Sequence, residues 1–340
     1  MEKNKLAVVI PSWNAADSIG QCLDSLLSQT TQPEIIVVEN GSTDNSVTFI
    51  RDKYPSVVLL EQARNFGFAG GVNIGIKKAM ADGAKYIALF NNDAVADKSW
   101  LQNLVKVLDG EDRVGIVTSK LMDSHKTHLD STGDYYTTWG LPYPRGRGEP
   151  VSDKYDKDTA IFAASGGASL YRVEMLKQIG LFDEAFFAYY EDVDMSWRAQ
   201  LAGWQVCYEP SAEAYHQIGA TSAKIKGFTT YQTMKNLPIL MRKNVPLPLA
   251  LTVGPRFWLA YCSFFWSAVW RGQFWPAFKG VVMSVYYLPH ILIARRKIQK
   301  NRQVSIDYIK GMLVYDLPPN ATRLRSLRQK WWKLTGRKNG

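Results

Sequence analysis

The chain has 340 residues, of which 46% are hydrophobic and 21% are charged, a composition that excludes a disordered protein. This length accommodates roughly two domains of about 150 residues each. The formal net charge of +10 is unevenly distributed. Residues 224–340 contain 21 Lys and Arg against 2 acidic residues, whereas the rest of the chain contains 20 against 29. An acidic part followed by a strongly basic part predicts two different tasks.

Cysteine spacing and the N-terminal sequence both fit a cytoplasmic protein. Cys22, Cys207 and Cys262 have neither metal-site nor disulfide spacing, as is typical of a reducing compartment. The start of the chain, MEKNKLAVVIPSWN, includes no long apolar segment of the signal-peptide type. It is interpreted as the first strand of a domain.

The first ninety residues alternate short apolar runs with helical patterns. Strands are predicted at residues 6–11, 34–40, 56–62 and 86–91. Helices are predicted at residues 18–29 and 71–83. The alternation predicts an α/β domain, Rossmann-like, with a mostly parallel central sheet and helices on both faces. Ligands bind such sheets at the carboxyl ends of their strands.

The next hundred residues have a less regular pattern. Residues 123–158 are polar and rich in Gly and Pro, which predicts a long loop. A strand-like run at 160–172 follows. A helix is predicted from about Glu191 to Ala202, ending at Gly203. A further strand-like stretch, WQVCYEP, precedes His216.

Two motifs at predicted strand ends are candidates for nucleotide binding. In VVENGSTDNS, Glu39 could accept hydrogen bonds from a base or ribose, although an ordinary turn with Asp44 as a helix cap fits equally. NFGFAGGVNIG, residues 65–75, is not a G-x-G-x-x-G fingerprint. Its small residues would let a phosphate approach backbone N–H groups at a helix start, and a Gly-rich turn is the alternative.

A third motif, LFNNDAV, ends an apolar strand in Asn91, Asn92 and Asp93. A carboxylate in this position suits a divalent ion such as Mg²⁺ or Mn²⁺, although Asn-Asn-Asp also favours a plain turn. His216 could be a second ligand, but a lone histidine is more often structural.

The stretch FFAYYEDVDMSWRAQLAGW crowds three carboxylates into four positions. On a helix, Glu191, Asp194 and Arg198 share one face, so Asp194 can pair with Arg198. Asp192 points elsewhere, near the helix N-terminus, where the helix dipole favours its charge. A charged first turn explains the helix but leaves the flanking aromatic residues unexplained, whereas a catalytic pocket would use both.

Taken in order, the motifs VVIPSWN, VVENGSTDNS, NFGFAGGVNIGI, LFNNDAV, ASGGASLYRVEML, GLFDEAFFAYYEDVDMSWRAQLAGW and AYHQIGATS strongly resemble the family 2 glycosyltransferases. More narrowly, they resemble the bacterial rhamnosyltransferase-like branch, which builds surface polysaccharides. The resemblance covers about residues 5–222. It implies a GT-A fold and an inverting transfer from a nucleotide-diphosphate sugar, with Mg²⁺ or Mn²⁺ as cofactor.

The resemblance also implies roles for individual residues. The nucleoside would be held by Pro11, Ser12, Asn14, Glu39 and Asn40. The rest of the donor would be lined by Gly67, Phe68, Ala69, Gly70, Asn73, Asn91 and Asn92. Asp93 would bind the metal, with His216 as a second ligand. Asp192 would be the general base, with Glu191 and Asp194 orienting it or binding the acceptor.

Two departures from the family pattern bear on these roles. Glu39 replaces the commoner Asp, which adds a methylene and could alter recognition of the base. Asn91 and Asn92 replace acidic residues, so the charge of a metal would be balanced mainly by the diphosphate. The first expectation for the donor is dTDP-L-rhamnose, with UDP-hexoses open.

The basic end of the chain predicts a membrane surface as a partner. Its longest apolar stretches, 257–270 and 280–294, are shorter than the ~18 residues of a spanning helix. Trp residues and Lys or Arg are typical of a peripheral anchor on anionic lipid. A buried helical subdomain is the alternative, and no recognised nucleic-acid fold is present.

The predicted organisation is therefore a glycosyltransferase domain at 1–223, a helical membrane-associating region at 224–300 and a basic tail at 301–340. We expect the enzyme on the inner face of the cell membrane, where a lipid-linked saccharide could be its acceptor. Two other hypotheses stay open from sequence alone. One is a non-catalytic nucleotide-sugar-binding scaffold. The other is a nucleotidyltransferase, which the YYEDVD stretch disfavours.

Overall fold

The computed structural model describes residues 6–216, 225–315, 317 and 325–326. The strands in these ranges are β1 (Leu6–Ser12), β2 (Glu34–Glu39), β3 (Val58–Glu61), β4 (Tyr86–Phe90), β5 (Ala94–Ala96), β6 (Val114–Asp123), β7 (Leu129–Ser131), β8 (Asp134–Tyr136), β9 (Pro142–Pro144), β10 (Thr159–Ala160), β11 (Ala168–Arg172) and β12 (Gln205–His216). The α-helices are α1 (Ile19–Leu27), α2 (Ser46–Lys53), α3 (Gly67–Ala81), α4 (Trp100–Gly110), α5 (Val173–Ile179), α6 (Glu191–Leu201), α7 (Phe228–Asn244), α8 (Leu247–Trp270), α9 (Phe274–Tyr286), α10 (Leu288–Lys300) and α11 (Ile306–Gly311).

The central sheet has the strand order β10-β12-β6-β11-β4-β1-β2-β3. The half formed by β3, β2, β1 and β4 is parallel, as the sequence predicts, so its carboxyl ends meet at one edge. The other half is mixed, because β11 runs antiparallel between β4 and β6. The four predicted strands are confirmed within two residues at each end.

Strand β1 shows why helices cover both faces of the sheet. Its side chains alternate between two cores, as the period of two in a strand requires. Val8 and Ile10 pack with α1 and α4 on one face, whereas Ala7 and Val9 pack with α3 and α5 on the other. All four of these β1 side chains are fully buried.

Three local predictions need correction. The predicted strand at 160–172 is two strands, β10 and β11, because a turn containing Gly166 and Gly167 interrupts it. The predicted loop at 123–158 contains β7, β8 and β9, which are only three residues long and carry little periodic signal. Helix α3 begins at Gly67, four residues before the predicted start at residue 71.

The C-terminal helices pack on α6 through a shared apolar core. Trp197 of α6 is fully buried and makes edge contacts with Tyr136 and Phe162. The same core includes Leu240 of α7 and Phe257 of α8. Among the described residues, α7 to α11 therefore form one packed unit with the helix that carries the acidic stretch.

Helices α8 to α10 also expose many apolar side chains to solvent, and we call this face of the three helices the apolar surface. Its most exposed members are Leu247, Leu251, Leu259, Trp266, Trp270, Trp275, Val285, Tyr286 and Ile293. In the described part of the chain no single helix is long and apolar enough to span a bilayer. The bent pair α9–α10, with 55° between its helices, passes that test only when its two helices are taken together.

Candidate active site

The candidate site lies where the parallel strands end, as the sequence predicts. The backbone N–H of Asn40, just after β2, donates to the carbonyl of Ser12 at the end of β1. The Asn92 amide, after β4, lies 3.4 Å from the hydroxyl of Ser12. Neighbouring parallel strands thus bring these three predicted donor-binding residues together.

The predicted nucleoside residues form a closed turn. The Glu39 carboxylate accepts from the backbone N–H groups of Gly41 and Ser42, at 3.2 and 3.0 Å. Asn14 binds the same turn, since its N–H donates to the Ser42 hydroxyl at 2.7 Å and its side-chain oxygen accepts from the N–H of Thr43 at 2.8 Å. Glu39 is therefore buried and already hydrogen-bonded, so its contact with a base stays a prediction. Pro11 pairs with β2 within the sheet.

The glycine-rich segment begins α3 and is covered by another loop. Gly67 has φ +73, and a Cβ at this position would lie 2.4 Å from the carbonyl oxygen of Phe187. That oxygen accepts from the N–H of Ala69 at 3.1 Å, so one N–H predicted for a phosphate is occupied. The tight approach explains why only glycine fits here.

Three further residues predicted to bind the donor lie on α3, and each of them contacts another part of the protein. Asn73 is buried and exchanges two hydrogen bonds with the backbone of Phe182, at 2.9 and 3.0 Å. Gly70 packs against Phe66. Phe68 lies against Gly166. The helix is thus held to both neighbouring loops.

Asp93 and His216 are adjacent, as predicted for two ligands of one ion. Strand β5 pairs with β12 so that His216 lies opposite Ala94. The His216 Nε2 is 3.0 Å from an Asp93 oxygen, and the Asn91 amide lies 3.2 Å from the same nitrogen. On the other side of the ring, Nδ1 is 2.9 Å from an Asp130 oxygen.

Both ring nitrogens of His216 face carboxylates, which affects its pKa. Burial alone would lower the pKa of His216, but its hydrogen bonds to Asp130 and Asp93 outweigh burial and raise that pKa to about 9. The two carboxylates therefore favour the protonated ring over the neutral one. A cavity of about 390 Å³ opens beside Asp93, and its lining includes Lys98 and Lys126 but neither Asp192 nor His216.

Asp192 lies next to the same strand end through two glycines. Its carboxylate accepts from the N–H of Gly166 at 2.9 Å and from that of Val193 at 2.8 Å. Gly167 in turn accepts from the N–H of Asn91 at 2.9 Å. Burial raises the pKa of Asp192 above its ordinary value, against the lowering effect of the two N–H groups. A carboxylate with a raised pKa is a better proton acceptor.

The other two carboxylates have different surroundings. Asp194 has no exposed surface, and its oxygens contact Arg198 and Lys243, both at 2.9 Å, and the amide of Asn244 at 2.7 Å. The predicted pairing of Asp194 with Arg198 is confirmed. Glu191 is also buried, and burial raises its pKa well above the ordinary value. Asp192 differs from Asp194, since backbone N–H groups and not cations hold its carboxylate.

The segment predicted as a loop contributes charged groups that sequence reasoning missed. Asp130 holds His216 and also lies 2.6 Å from Arg147. Asp134 is buried, and burial together with the charge of Asp192 raises its pKa well above the ordinary value. The charge of Arg147 acts in the opposite direction on Asp192. Asp130 and Asp134, which lie on either side of Gly133, are the only sign of this charged group in the sequence, and they fit no helix or strand period.

Solved structures define the class of fold. A mannosyltransferase from Pyrobaculum calidifontis, in complex with GDP-Man and Mn²⁺, matches with a TM-score of 0.53 over 87% of this chain and 85% of its own, at 16% identity. Staphylococcus aureus TarS 1-349 in complex with UDP matches with a TM-score of 0.52 over 93% and 94%, at 17% identity. The fold is therefore that of the GT-A glycosyltransferases, as the sequence resemblance predicts.

The family follows from the sequence comparisons. The profile of Glycosyl transferase family 2 matches residues 7–180, and the chain belongs to this family. A relative, N-acetylglucosaminyl-diphospho-decaprenol L-rhamnosyltransferase of Mycobacterium tuberculosis, is 27% identical over 234 residues, or 62% of this chain and 75% of the relative. The protein is a glycosyltransferase.

Proposed function

We propose that the protein transfers a sugar, with inversion, from a nucleotide-diphosphate donor to a hydroxyl of a lipid-linked saccharide. The observation that carries this proposal is the position of Asp192. Its carboxylate binds Gly166, the next residue Gly167 binds Asn91 at the strand end, and the Asp93–His216 pair follows that strand end. A proton acceptor and a cation site beside one another are what an in-line displacement at an anomeric carbon requires.

The donor atoms at Asp93 and His216 fit a divalent ion once the His216 Nε2 gives up the proton it shares with Asp93, because a histidine that binds a metal is neutral. A histidine that binds a metal through one ring nitrogen usually donates from the other to a carboxylate, and Asp130 has this position. In the described residues no group of three or more His, Cys, Asp or Glu side chains converges on one point. Mg²⁺ and Mn²⁺ sites of this kind use one or two protein ligands and take the rest from substrate phosphates.

In this proposal Asp93 and His216 would hold the ion, which would offset the charge of the departing nucleoside diphosphate. Asp192 takes the proton of the acceptor hydroxyl. Each of its oxygens accepts one backbone N–H and keeps a second lone pair for that hydroxyl. Those two fixed donors keep the carboxylate in place while the proton moves. General-base catalysis of this kind contributes about 10²- to 10⁴-fold.

We propose dTDP-L-rhamnose as the first donor to test, with UDP-hexoses as the alternative. Support comes from the name of the Mycobacterium tuberculosis relative, which transfers L-rhamnose to a diphospho-decaprenol acceptor. The assay is release of nucleoside diphosphate from each sugar nucleotide, with and without a polyprenyl-diphosphate-linked saccharide. Release that depends on the acceptor supports the transferase, and no release from any donor favours the scaffold hypothesis.

The cation site has a separate test. Asp93→Ala removes one proposed ligand, so it should weaken donor binding in the presence of Mn²⁺ or Mg²⁺ and leave binding in EDTA unchanged. Isothermal titration calorimetry with dTDP and with UDP measures the nucleotide affinity in the presence of the ion and in EDTA. Equal affinities for wild type and variant in Mn²⁺ and Mg²⁺ would remove Asp93 from the metal site.

We also propose that the apolar surface of α8 to α10 binds anionic membrane on the cytoplasmic face. Trp270 and Trp275 are 78% and 73% exposed, and large exposed apolar patches mark sites of interaction with proteins or membranes. Residues 224–306 include no acidic side chain, while Arg271 and Lys279 lie among the exposed aromatic residues. Tryptophan at the headgroup level and cations against anionic lipid both favour binding.

Vesicle sedimentation tests this surface. The double variant Trp270→Ser, Trp275→Ser should lose most binding to vesicles of phosphatidylglycerol and phosphatidylcholine. Tyr315→Ser is a matched control, because Tyr315 is 72% exposed but lies outside α8 to α10. Equal binding by the double variant and the control would refute the assignment. Trp331 and Trp332 lie outside the described residues.

A further inference from the structure

The loop that precedes α6 has an uncommon backbone. We call residues 186–190, FFAYY, the aromatic loop. Phe187, Tyr189 and Tyr190 have φ of 64°, 68° and 70°, in the left-handed region that side chains other than glycine rarely adopt. Such conformations persist only where the surroundings hold them, and they cluster at functional sites.

The aromatic loop connects the two halves of the candidate site. At one end the carbonyl of Phe187 accepts from the N–H of Ala69 at the start of α3. At the other end Tyr190 directly precedes Glu191 and Asp192 and forms the N-terminal boundary of α6. The path of the loop therefore determines where Asp192 lies relative to the donor residues on α3.

One side chain from α7 holds the loop from behind. The Asn236 amide donates to the carbonyl oxygens of Phe186, Ala188 and Tyr189, at 3.0, 2.8 and 2.8 Å. An amide has two hydrogens, so at least one is shared between two carbonyls. Asn236 has no exposed surface, and a carboxylate in its place would present only acceptors to three acceptors. The site selects an amide.

The neighbouring residue reinforces the contact. The Lys235 ammonium donates to the carbonyls of Ala185 and Phe186, at 2.8 and 3.1 Å, and its side chain is almost fully buried. Two turns further along α7, Lys243 and Asn244 bind Asp194. One face of a C-terminal helix thus carries the donors that fix the segment on both sides of Asp192.

We propose that Asn236 is a positioning residue for the transfer reaction, which holds the aromatic loop in its left-handed backbone so that Asp192 faces the donor. This inference rests on the proposed function. Asn236 does not contact the reacting atoms and acts through the loop. Its loss removes one hydrogen bond from each of three carbonyls, of which that of Phe186 keeps Lys235, and lets the loop relax. The carboxylate then shifts while the donor-binding strand ends stay in place.

The experiment compares Asn236→Ala with Met241→Ala. Met241 lies on the same helix, is buried and packs toward Gly254 of α8. Both variants should lose thermal stability. We expect kcat to fall about 10- to 100-fold for Asn236→Ala only, since a displacement of about 1 Å has effects of this size. The KM for the sugar nucleotide should stay within about twofold. Equal kcat values for the two variants, or a loss confined to KM, would overturn the proposal.

A second readout does not need turnover. Amide hydrogen exchange of the peptide covering 185–193 should speed up at least about tenfold in Asn236→Ala and stay at the wild-type rate in Met241→Ala. If Asn236→Ala does not fold, Lys235→Met is the substitute variant. It removes the hydrogen bonds to the carbonyls of Ala185 and Phe186 and should speed exchange at the first residues of the same peptide. Unchanged exchange would reject the positioning role even where the protein transfers sugar. Inactive wild type with fast exchange in the variant would reject only the proposed function.

Discussion

Asp192 and Asp194 are two residues apart, yet their surroundings predict opposite results for the same substitution. Asp194 is fully buried between the guanidinium of Arg198 and the ammonium of Lys243, whose side chains are 7% and 3% exposed. Asp194→Asn keeps the shape but removes the negative charge. Lys243 then keeps the carboxylate of Asp183 at 2.6 Å, whereas Arg198 keeps only backbone carbonyls such as that of Leu181.

The size of the effect follows from this geometry. Removing one partner of a buried ion pair destabilises a protein by about 3–5 kcal/mol. The lower end, about 3 kcal/mol, applies because Lys243 keeps Asp183 and an asparagine oxygen can still accept. For a large domain this corresponds to a fall in Tm of roughly 6–12 °C. Asp192→Asn keeps an acceptor for Gly166 and removes a charge that burial penalises, but it loses the acceptor for Val193, so Tm should stay within about 2 °C.

The assay is thermal unfolding by circular dichroism at pH 7, with turnover measured well below both melting temperatures. Asp192→Asn should retain Tm and lose about 10²- to 10⁴-fold in kcat, the usual contribution of a general base. Asp194→Asn should lose Tm and retain most of its turnover. The reverse result, a stable but inactive Asp194→Asn, would refute the assignment of the base.

Two further predictions test the backbone at Gly67 and the burial of Lys235. Gly67→Ala should lower the free energy of unfolding more than Gly148→Ala does. Both glycines have positive φ, which costs alanine about 1–2 kcal/mol, but only at Gly67 would the new Cβ lie 2.4 Å from a carbonyl oxygen. Equal losses of the two variants in urea unfolding would contradict this contact. Burial lowers the pKa of Lys235 to about 8, so between about pH 8 and 10 the unfolded state binds more protons than the folded state. The stability of the wild type should therefore rise with pH in this window, by on the order of 3 kcal/mol relative to Lys235→Met. A difference in the free energy of unfolding that stays constant across this window would show that the pKa of Lys235 is not lowered in the folded protein.

The strand ends could be predicted because they depend on local pattern. Apolar runs that end in turn residues specify parallel strands, and parallel strands bring their carboxyl ends to one edge. Asp93 and Asn40 lie at that edge as expected. The pairing of Asp194 with Arg198 was also predictable, since a spacing of four residues is a helix property.

Other parts of the site depend on contacts between distant residues, which no periodicity reports. Asp194 meets Lys243 and Asn244 across 49 and 50 residues of chain, so its structural role is absent from the acidic stretch itself. Asp130 reaches His216 across 86 residues from a strand only three residues long. Short strands and buried ion networks gain their order from tertiary packing, which the sequence pattern does not show.

The change in composition after residue 223 does not mark an end of the packing, because α7 and α8 share a core with α6. Exposed aromatic and basic residues on α8 to α10 set the composition there, and they face outward. The inward face of α7 has the opposite character, with Lys235, Asn236 and Lys243 buried against the segment that carries Asp192. Polar side chains this deep in a core are retained where each one satisfies a particular partner. The C-terminal helices therefore have two different faces, an exposed apolar exterior and a polar interior that binds the segment on both sides of Asp192.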